Sequence, residues 1–144
     1  METVDRPSLN LVPYNFEFDA ANRILRCWFE RRVTDEALKE CYRLAAKHAV
    51  QTEPRAAIYD LSAVTSFEVS AETIRELAKS ALIMPERNRL HCIVAPSPEI
   101  FGLMRMFEIE GEVTRSNLHV VRTLEEVRAI LGVQEFQYEP LVAS

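Results

Sequence analysis

The spacing of apolar residues changes period repeatedly along this chain, and that alternation restricts it to one class of fold. Tyr14, Phe16 and Phe18 stand at every second position, and the segment 23–31 alternates in the same way. A period of two is typical of a β-strand with one buried face. From Thr34 the apolar residues recur three or four positions apart, which is typical of an amphipathic helix. The rest of the chain, to residue 132, switches between these two periods.

Segments of the two kinds follow one another with recognisable ends. We expect further strands over residues 55–61, 90–95 and 116–122, and a loop over residues 62–69. Helices are predicted to begin at N-cap residues, which are Thr34, Ser70, Ser97 and Thr123. The second helix should stop at Pro85, and the fourth, which opens with a capping box, at Gly132.

The predicted element order is β-β-α-β-α-β-α-β-α. Strands that alternate with helices pair in parallel through right-handed crossovers, so we expect an α/β fold with a mostly parallel sheet. The first strand is the antiparallel exception, and crossovers of one hand place the helices mainly on one face. The chain is predicted to consist of an N-terminal arm over residues 1–13, a single domain over 14–132 and a tail over 133–144.

Composition excludes several classes of function. The 144 residues include only 3 glycines, too far apart for a dinucleotide-binding turn, a P-loop or a nucleophile elbow. The net charge is −5 and no basic stripe is visible, so we expect no nucleic-acid partner. No signal peptide and no apolar run of about 20 residues is visible, which predicts a cytoplasmic protein without membrane insertion. The cysteines Cys27, Cys41 and Cys92 are then expected to be reduced.

Chemistry-bearing residues are scattered along the chain. His91 and His119 lie near the starts of predicted parallel strands, where they could converge on a metal or simply end their strands. Asp60 ends a buried strand, at an edge where open parallel sheets hold functional groups. It could act as a base, or it could bond the backbone of the following loop. We expect no catalytic residue, no metal and no cofactor.

The predicted third helix carries more apolar side chains than one core can use. Over residues 100–109 they extend around the helix, and they include Phe101, Met104, Met106 and Phe107. Adaptable methionines and bulky phenylalanines of this kind suit a protein partner, an apolar ligand or a covering tail.

The second strand presents another apolar surface, on the side away from the expected helices. Ile24 and Trp28 lie there beside Arg26. This face is either the seam of a homodimer or a surface covered by Phe136 and Tyr138 of the tail.

The segment Asp60-Leu-Ser-Ala-Val-Thr-Ser-Phe-Glu-Val-Ser70-Ala resembles the switch segment of STAS domains, the SpoIIAA-like anti-sigma-factor antagonists. The element order over residues 14–132 is similar to theirs as well. In that family a strand ends in Asp-Leu-Ser, and a motif Asp-Ser-Ser/Thr-Gly with a phospho-acceptor serine begins the next helix. An ungapped alignment places Glu68 at the aspartate, Val69 at the acceptor and Ala71 at the glycine. Ser70, one position on, keeps a hydroxyl and is a candidate regulatory residue: a shift of the alignment by one residue would make it the phosphate acceptor, and otherwise it is a helix N-cap. We expect the N-cap.

The resemblance implies a divergent, non-enzymatic STAS-like module that binds a protein partner. The surface expected to bind it combines the helix over 100–109 with Asp60, Phe67, Glu68 and Ser70. SEC14-type lipid-binding domains are similar in fold class, so a sensor with an apolar pocket near Phe101, Met104 and Phe107 is the second hypothesis. The third is an enzyme that uses Asp60 with an arginine or histidine brought near by the fold.

These three hypotheses predict different surfaces. An exposed apolar ridge over a solid core favours the protein-binding module, and an enclosed apolar cavity favours the ligand sensor. A cleft with Asp60 and a histidine on its wall favours the enzyme.

Overall fold

The computed structural model describes residues 12–80, 89–111 and 117–141. Six strands are present in this part of the chain: β1 (Tyr14–Asp19), β2 (Ile24–Thr34), β3 (Ala56–Glu68), β4 (Leu90–Val94), β5 (Leu118–Val121) and β6 (Glu139–Pro140). The four helices are α1 (Asp35–Thr52), α2 (Ala71–Ala78), α3 (Pro98–Glu110) and α4 (Leu124–Leu131). The N-terminal arm up to residue 11 and the predicted helix end at Pro85 lie outside the described residues.

The strands form one mixed sheet in the order β5-β4-β3-β2-β1-β6. The strands β2, β3, β4 and β5 are parallel, and β1 pairs with β2 in the antiparallel direction. The α/β class, the parallel strands and the antiparallel exception predicted from the sequence are thus confirmed. The short strand β6 in the tail adds a further antiparallel partner on the outer side of β1.

Each face of the sheet carries its own apolar core. Three helices contribute to the core on the first face, where Cys41 and Ala45 of α1 meet Ile74 of α2 and Met104 of α3. The core on the second face contains α4 and the beginning of the tail. Each of α1, α2 and α3 connects two sequential parallel strands, so crossovers of one hand bring them to the same side. No strand of the parallel series follows α4, and it packs on the other side.

The predicted loop over residues 62–69 is wrong. Strand β3 is 13 residues long and continues through Glu68, paired with a β2 that itself extends to Thr34. The pairing shifts register between Trp28 and Glu30 and again between Arg31 and Arg32, and extra residues on β3 form bulges there. The bulges break the period of two, which is why this half of β3 does not look like a strand in the sequence.

The helix starts lie at the predicted residues. Side-chain oxygens of Thr34 and Ser70 accept the backbone N–H groups of Ala37 and Thr73, respectively. Thr123 forms the predicted capping box with Glu126, and Gly132 ends α4 in the left-handed conformation at φ 69°.

Among the described residues, no helix is long and apolar enough to cross a membrane.

Candidate functional site

An apolar cavity lies between the first face of the sheet and its three helices. Helix α1 packs on β1 and β2, whereas α3 packs on β5 and against α2. The helices therefore leave a gap above the central strand β3. The cavity has a volume of about 80 Å³ and opens in part to solvent.

Every element around this gap contributes to the wall. The helices supply Leu38, Cys41, Tyr42, Ala45, Ile74, Leu77, Met104 and Phe107. The strands supply Phe29, Tyr59, Leu61, Phe67, His91, Ile93 and Leu118. This wall is almost entirely hydrocarbon, aromatic or thiol, so it favours an apolar occupant over water.

Tyr59 and His91 form a polar pair in the wall. The Tyr59 hydroxyl lies 3.2 Å from Nδ1 of His91, and the two rings stack with their centroids 6.0 Å apart. Neighbouring parallel strands, β3 and β4, hold the two residues. Both side chains can exchange donor and acceptor roles, so the pair can also meet a hydroxyl or carboxyl group of a ligand.

Two cysteines meet at one side of the cavity. Sγ of Cys27 on β2 lies 3.0 Å from Sγ of Cys41 on α1, and both residues are buried. Cys41 lines the cavity, and Cys27 lies behind it on the strand. Burial, together with the contact to Cys41, raises the pKa of the Cys27 thiol well above its ordinary value. Cys27 is therefore a neutral thiol at neutral pH.

Three of the residues singled out in the sequence come together in the cavity wall. They are Met104 and Phe107 of α3 and Phe67 of β3. The side chains of Phe101 and Met106 are half-buried against the same core but do not line the cavity. The guanidinium of Arg122 covers Phe101, 4.4 Å from the ring centroid. Helix α3 therefore divides its apolar residues between the cavity and the surrounding core.

Asp60 lies on the opposite face of the sheet, and both of its carboxylate oxygens accept hydrogen bonds. Its Oδ2 accepts a hydrogen bond from Arg26 at 3.1 Å, and its Oδ1 accepts one from the backbone N–H of Ser62 at 2.9 Å. The hydrogen bond from Ser62 stabilises the first β3 bulge. Because His91 faces the cavity, the sheet separates it from Asp60. The two residues do not form a shared acid–base site.

Ser70 and Glu68 lie at the far end of β3. Ser70 is exposed and caps α2, and Asp35 of α1 accepts hydrogen bonds from it. Glu68 forms an ion pair with Arg32 at 2.8 Å, and this pairing lowers the pKa of the Glu68 carboxyl. Both residues are thus parts of hydrogen-bonded surface structure next to the cavity residue Phe67.

The tail lies on the second face, near Trp28. Phe136 packs against the core of that face, and Tyr138 stacks on Phe136 with centroids 5.3 Å apart. The Arg26 guanidinium lies 5.8 Å from the Trp28 ring centroid and 5.0 Å from that of Tyr138. On this face Phe136 of the tail packs in the same core as the fully buried Ile24, whereas Trp28 remains partly exposed, and the predicted homodimer through Trp28 stays a prediction.

The described residues contain no group of three or more histidine, cysteine, aspartate or glutamate side chains that could hold a metal ion. His91 and His119 do not converge, because His91 lines the cavity while His119 pairs with Cys92, which belongs to the other core.

Sequence reasoning did not identify Tyr59, His91 or the Cys27–Cys41 pair as parts of one site. The apolar residues Leu38, Ile74 and Leu77 follow the helical period, which indicates that they face a core but does not indicate a cavity. A signal for Tyr59 is present, since it is the one aromatic residue in the predicted strand over residues 55–61. The position of its partner depends on strand pairing.

Comparison with known proteins gives no assignment. No protein-family model matches the sequence, and no curated protein matches it significantly.

Proposed function

We propose that this protein binds a small, largely apolar molecule in the cavity above β3 and acts as a ligand sensor. The observation that carries the proposal is the cavity itself. It provides a space of about 80 Å³ between the sheet and three helices, and an apolar, concave wall of this kind is typical of sites that hold small ligands.

The wall indicates the chemistry of the ligand. Aromatic and aliphatic side chains surround the space, so most of the binding free energy would come from removing an apolar body from water. The Tyr59–His91 pair offers a polar position on the sheet side of the wall, which suits one hydroxyl or carboxyl group at the end of that body. Met104, with its flexible thioether, adapts the wall to ligands of different shape.

Titration with octanol, followed by nuclear magnetic resonance of methionine methyl groups, tests this proposal. Met104 lines the cavity and Met106, two residues along α3, does not. We expect a saturable shift of the Met104 methyl resonance and a much smaller shift at Met106. Equal shifts at both methyl groups, or a shift that never saturates, would contradict a site in the cavity.

A matched pair of substitutions locates the site. Ala45→Leu places three additional carbon atoms in the cavity wall, and Ala129→Leu makes the same change at an exposed position of α4. We expect the first variant to lose octanol binding and the second to bind like the wild type. Thermal denaturation of both variants establishes that they are folded.

As a second candidate, we propose that the fold is STAS-like and that the module also binds a protein partner. The element order, the four sequential parallel strands and the exposed position of Ser70 at the start of α2 support this proposal. The partner surface would comprise Ser70, Glu68 and neighbouring residues of α2.

Affinity capture from the native host tests the second candidate when wild type and a Ser70→Arg variant are compared by quantitative mass spectrometry. Specific loss of one protein from the variant supports it. Identical sets of captured proteins would contradict a partner at this surface.

A further inference from the structure

We propose that Cys27 and Cys41 are a site of reversible oxidation, at which an organic hydroperoxide that enters the apolar cavity is reduced and a Cys27–Cys41 disulfide forms. The two sulfur atoms are 3.0 Å apart in the reduced protein. A disulfide bond is about 2.05 Å long, so its formation requires the sulfurs to approach by about 1 Å.

The positions of the two thiols assign them different roles. Cys41 lines the cavity, so it is the thiol that meets a molecule held there. Both side chains are almost fully buried from bulk solvent, at 1% and 2% exposed, but Cys27 does not line the cavity and lies on the sheet side of Cys41. Cys41 is therefore the attacking thiol and Cys27 the resolving thiol.

The reaction has two steps. In the first, the Cys41 sulfur attacks the terminal oxygen of the hydroperoxide ROOH, and the O–O bond breaks. Cys41 becomes a sulfenic acid, and the alkoxide leaves as the alcohol ROH with the thiol proton. In the second, the Cys27 sulfur attacks the sulfenic sulfur, the S–O bond breaks and water leaves with the Cys27 proton. Sulfur is oxidised and the peroxide oxygen is reduced, and a small-molecule dithiol restores both thiols by exchange.

The cavity wall selects the class of oxidant. An apolar hydroperoxide gains free energy by leaving water for this wall, whereas hydrogen peroxide has no apolar part to bury. The choice of oxidant rests on the proposed ligand-binding function. The disulfide itself rests on the position of the two sulfurs.

Cys92 provides an internal control. It is buried in the core of the opposite face, and burial raises the pKa of its thiol to about 11. It has neither access to the cavity nor a place in its wall, so it should remain a thiol under conditions that oxidise the pair.

The test treats the reduced full-length protein with cumene hydroperoxide or with hydrogen peroxide at equal concentration. Intact-mass measurement and peptide mapping then follow the products. We expect the loss of two hydrogens, a peptide link between Cys27 and Cys41, and several-fold faster formation with cumene hydroperoxide. The absence of this link, or oxidation of Cys92 alone, would overturn the proposal. A link that forms equally fast with both oxidants would contradict the role of the cavity in selecting the oxidant. Whether the cavity binds an apolar ligand is decided separately, by the octanol titration.

Two variants test the order of the steps. In Cys27→Ala, the sulfenic acid on Cys41 has no resolving thiol and should be trapped by dimedone. In Cys41→Ala, Cys27 should stay unmodified, and Cys92→Ala should form the disulfide like the wild type. Dimedone on Cys27 in the Cys41→Ala protein would contradict the assigned roles. Circular dichroism verifies that each variant is folded.

Discussion

Asp35, the first residue of α1, holds the start of α2 through Ser70. One carboxylate oxygen accepts the backbone N–H of Ser70 at 2.8 Å, and the other accepts its hydroxyl at 3.3 Å. The backbone hydrogen bond from Ser70 lowers the pKa of the Asp35 carboxyl below its ordinary value, so Asp35 is ionised at neutral pH. A negative charge therefore already occupies the place next to the Ser70 hydroxyl.

This contact makes Ser70 a poor site for a second negative charge. A phosphate there would place a second negative charge beside the Asp35 carboxylate. It would also remove the hydroxyl hydrogen that Ser70 now donates to Asp35. We predict that protein isolated from its host carries no stoichiometric phosphate on Ser70. Intact-mass measurement with peptide mapping checks this. A dominant species heavier by one phosphate at Ser70 would restore the phospho-switch.

Substitutions at Ser70 separate the cap from the charge. Ser70→Asn keeps a side-chain oxygen for the N–H of Thr73 and should be close to the wild type, whereas Ser70→Ala should lose about 1 kcal/mol of unfolding free energy. Ser70→Asp keeps the cap but places two carboxylates together, so it should be less stable than Ser70→Asn. Urea denaturation in low and high salt measures the difference, which should narrow in high salt. Equal stability of the two variants in low salt would contradict the repulsion.

Asp19 ties the tail to the β1–β2 turn and should make stability depend on pH. It is fully buried and accepts hydrogen bonds from the backbone and side chain of Asn22 and from the backbone of Gln137. Burial alone would raise the pKa of Asp19, but these hydrogen bonds outweigh it and lower the pKa below the ordinary value. The stabilisation of the folded state by the ionised Asp19 is thus fully present above the pKa of Asp19 in the unfolded chain, near 3.9. It is lost as the pH falls through the lower pKa of Asp19 in the folded protein.

The Asp19→Asn variant tests this link. An amide that replaces the carboxylate cannot accept all three hydrogen bonds, so we expect a loss of about 2 kcal/mol near neutral pH. Urea denaturation at pH values from about 7 to about 2.5 should show the difference from the wild type shrinking in the acid range. Glu135→Gln, at an exposed position in the same tail, is the control and should change little. A difference independent of pH would show that the charge of Asp19 is not its source.

The sequence predicts those parts of the fold that depend on near neighbours. The capping box joins Thr123 to Glu126, and the alternation of Tyr14, Phe16 and Phe18 is visible without any partner strand. The second half of β3 is not visible, because its bulges are opposite Trp28–Glu30 and Arg31–Arg32 and their positions depend on β2.

The candidate site depends on distances between elements that are far apart in the chain. Tyr59 and His91 are 32 residues apart, and they meet only because β3 and β4 pair in register. The cavity depends on how far α1 stands from α2 and α3, and no local pattern contains that spacing. Met104 and Phe107 were predicted because α3 carries more apolar side chains than one core can use, and this excess is visible in the local sequence.

The tail over the second face leads to a prediction about oligomeric state. The Arg26 guanidinium lies close to the rings of both Trp28 and Tyr138, and β6 pairs with the outer strand β1. Because the chain itself covers much of this face, we expect sedimentation to show a monomer at concentrations of tens of micromolar. A wild-type dimer that dissociates in a Trp28→Ala variant would instead show that Trp28 forms an interface between two copies.

The Tyr59 hydroxyl should determine which apolar ligands the cavity prefers. Tyr59→Phe keeps the ring that stacks on His91 and removes the oxygen that lies 3.2 Å from its Nδ1. If the pair binds the polar end of a ligand, octanol loses one hydrogen-bonding partner, worth about 0.5–1.5 kcal/mol, which corresponds to roughly a two- to twelvefold weaker affinity. Octane, which has no polar end, should bind both proteins with similar affinity. The Met104 methyl resonance reports both titrations, and a Tyr42→Phe variant, which removes a hydroxyl from the helical part of the wall, is the matched control. An equal loss of affinity for octanol and octane would show that Tyr59 shapes the cavity without recognising a polar group.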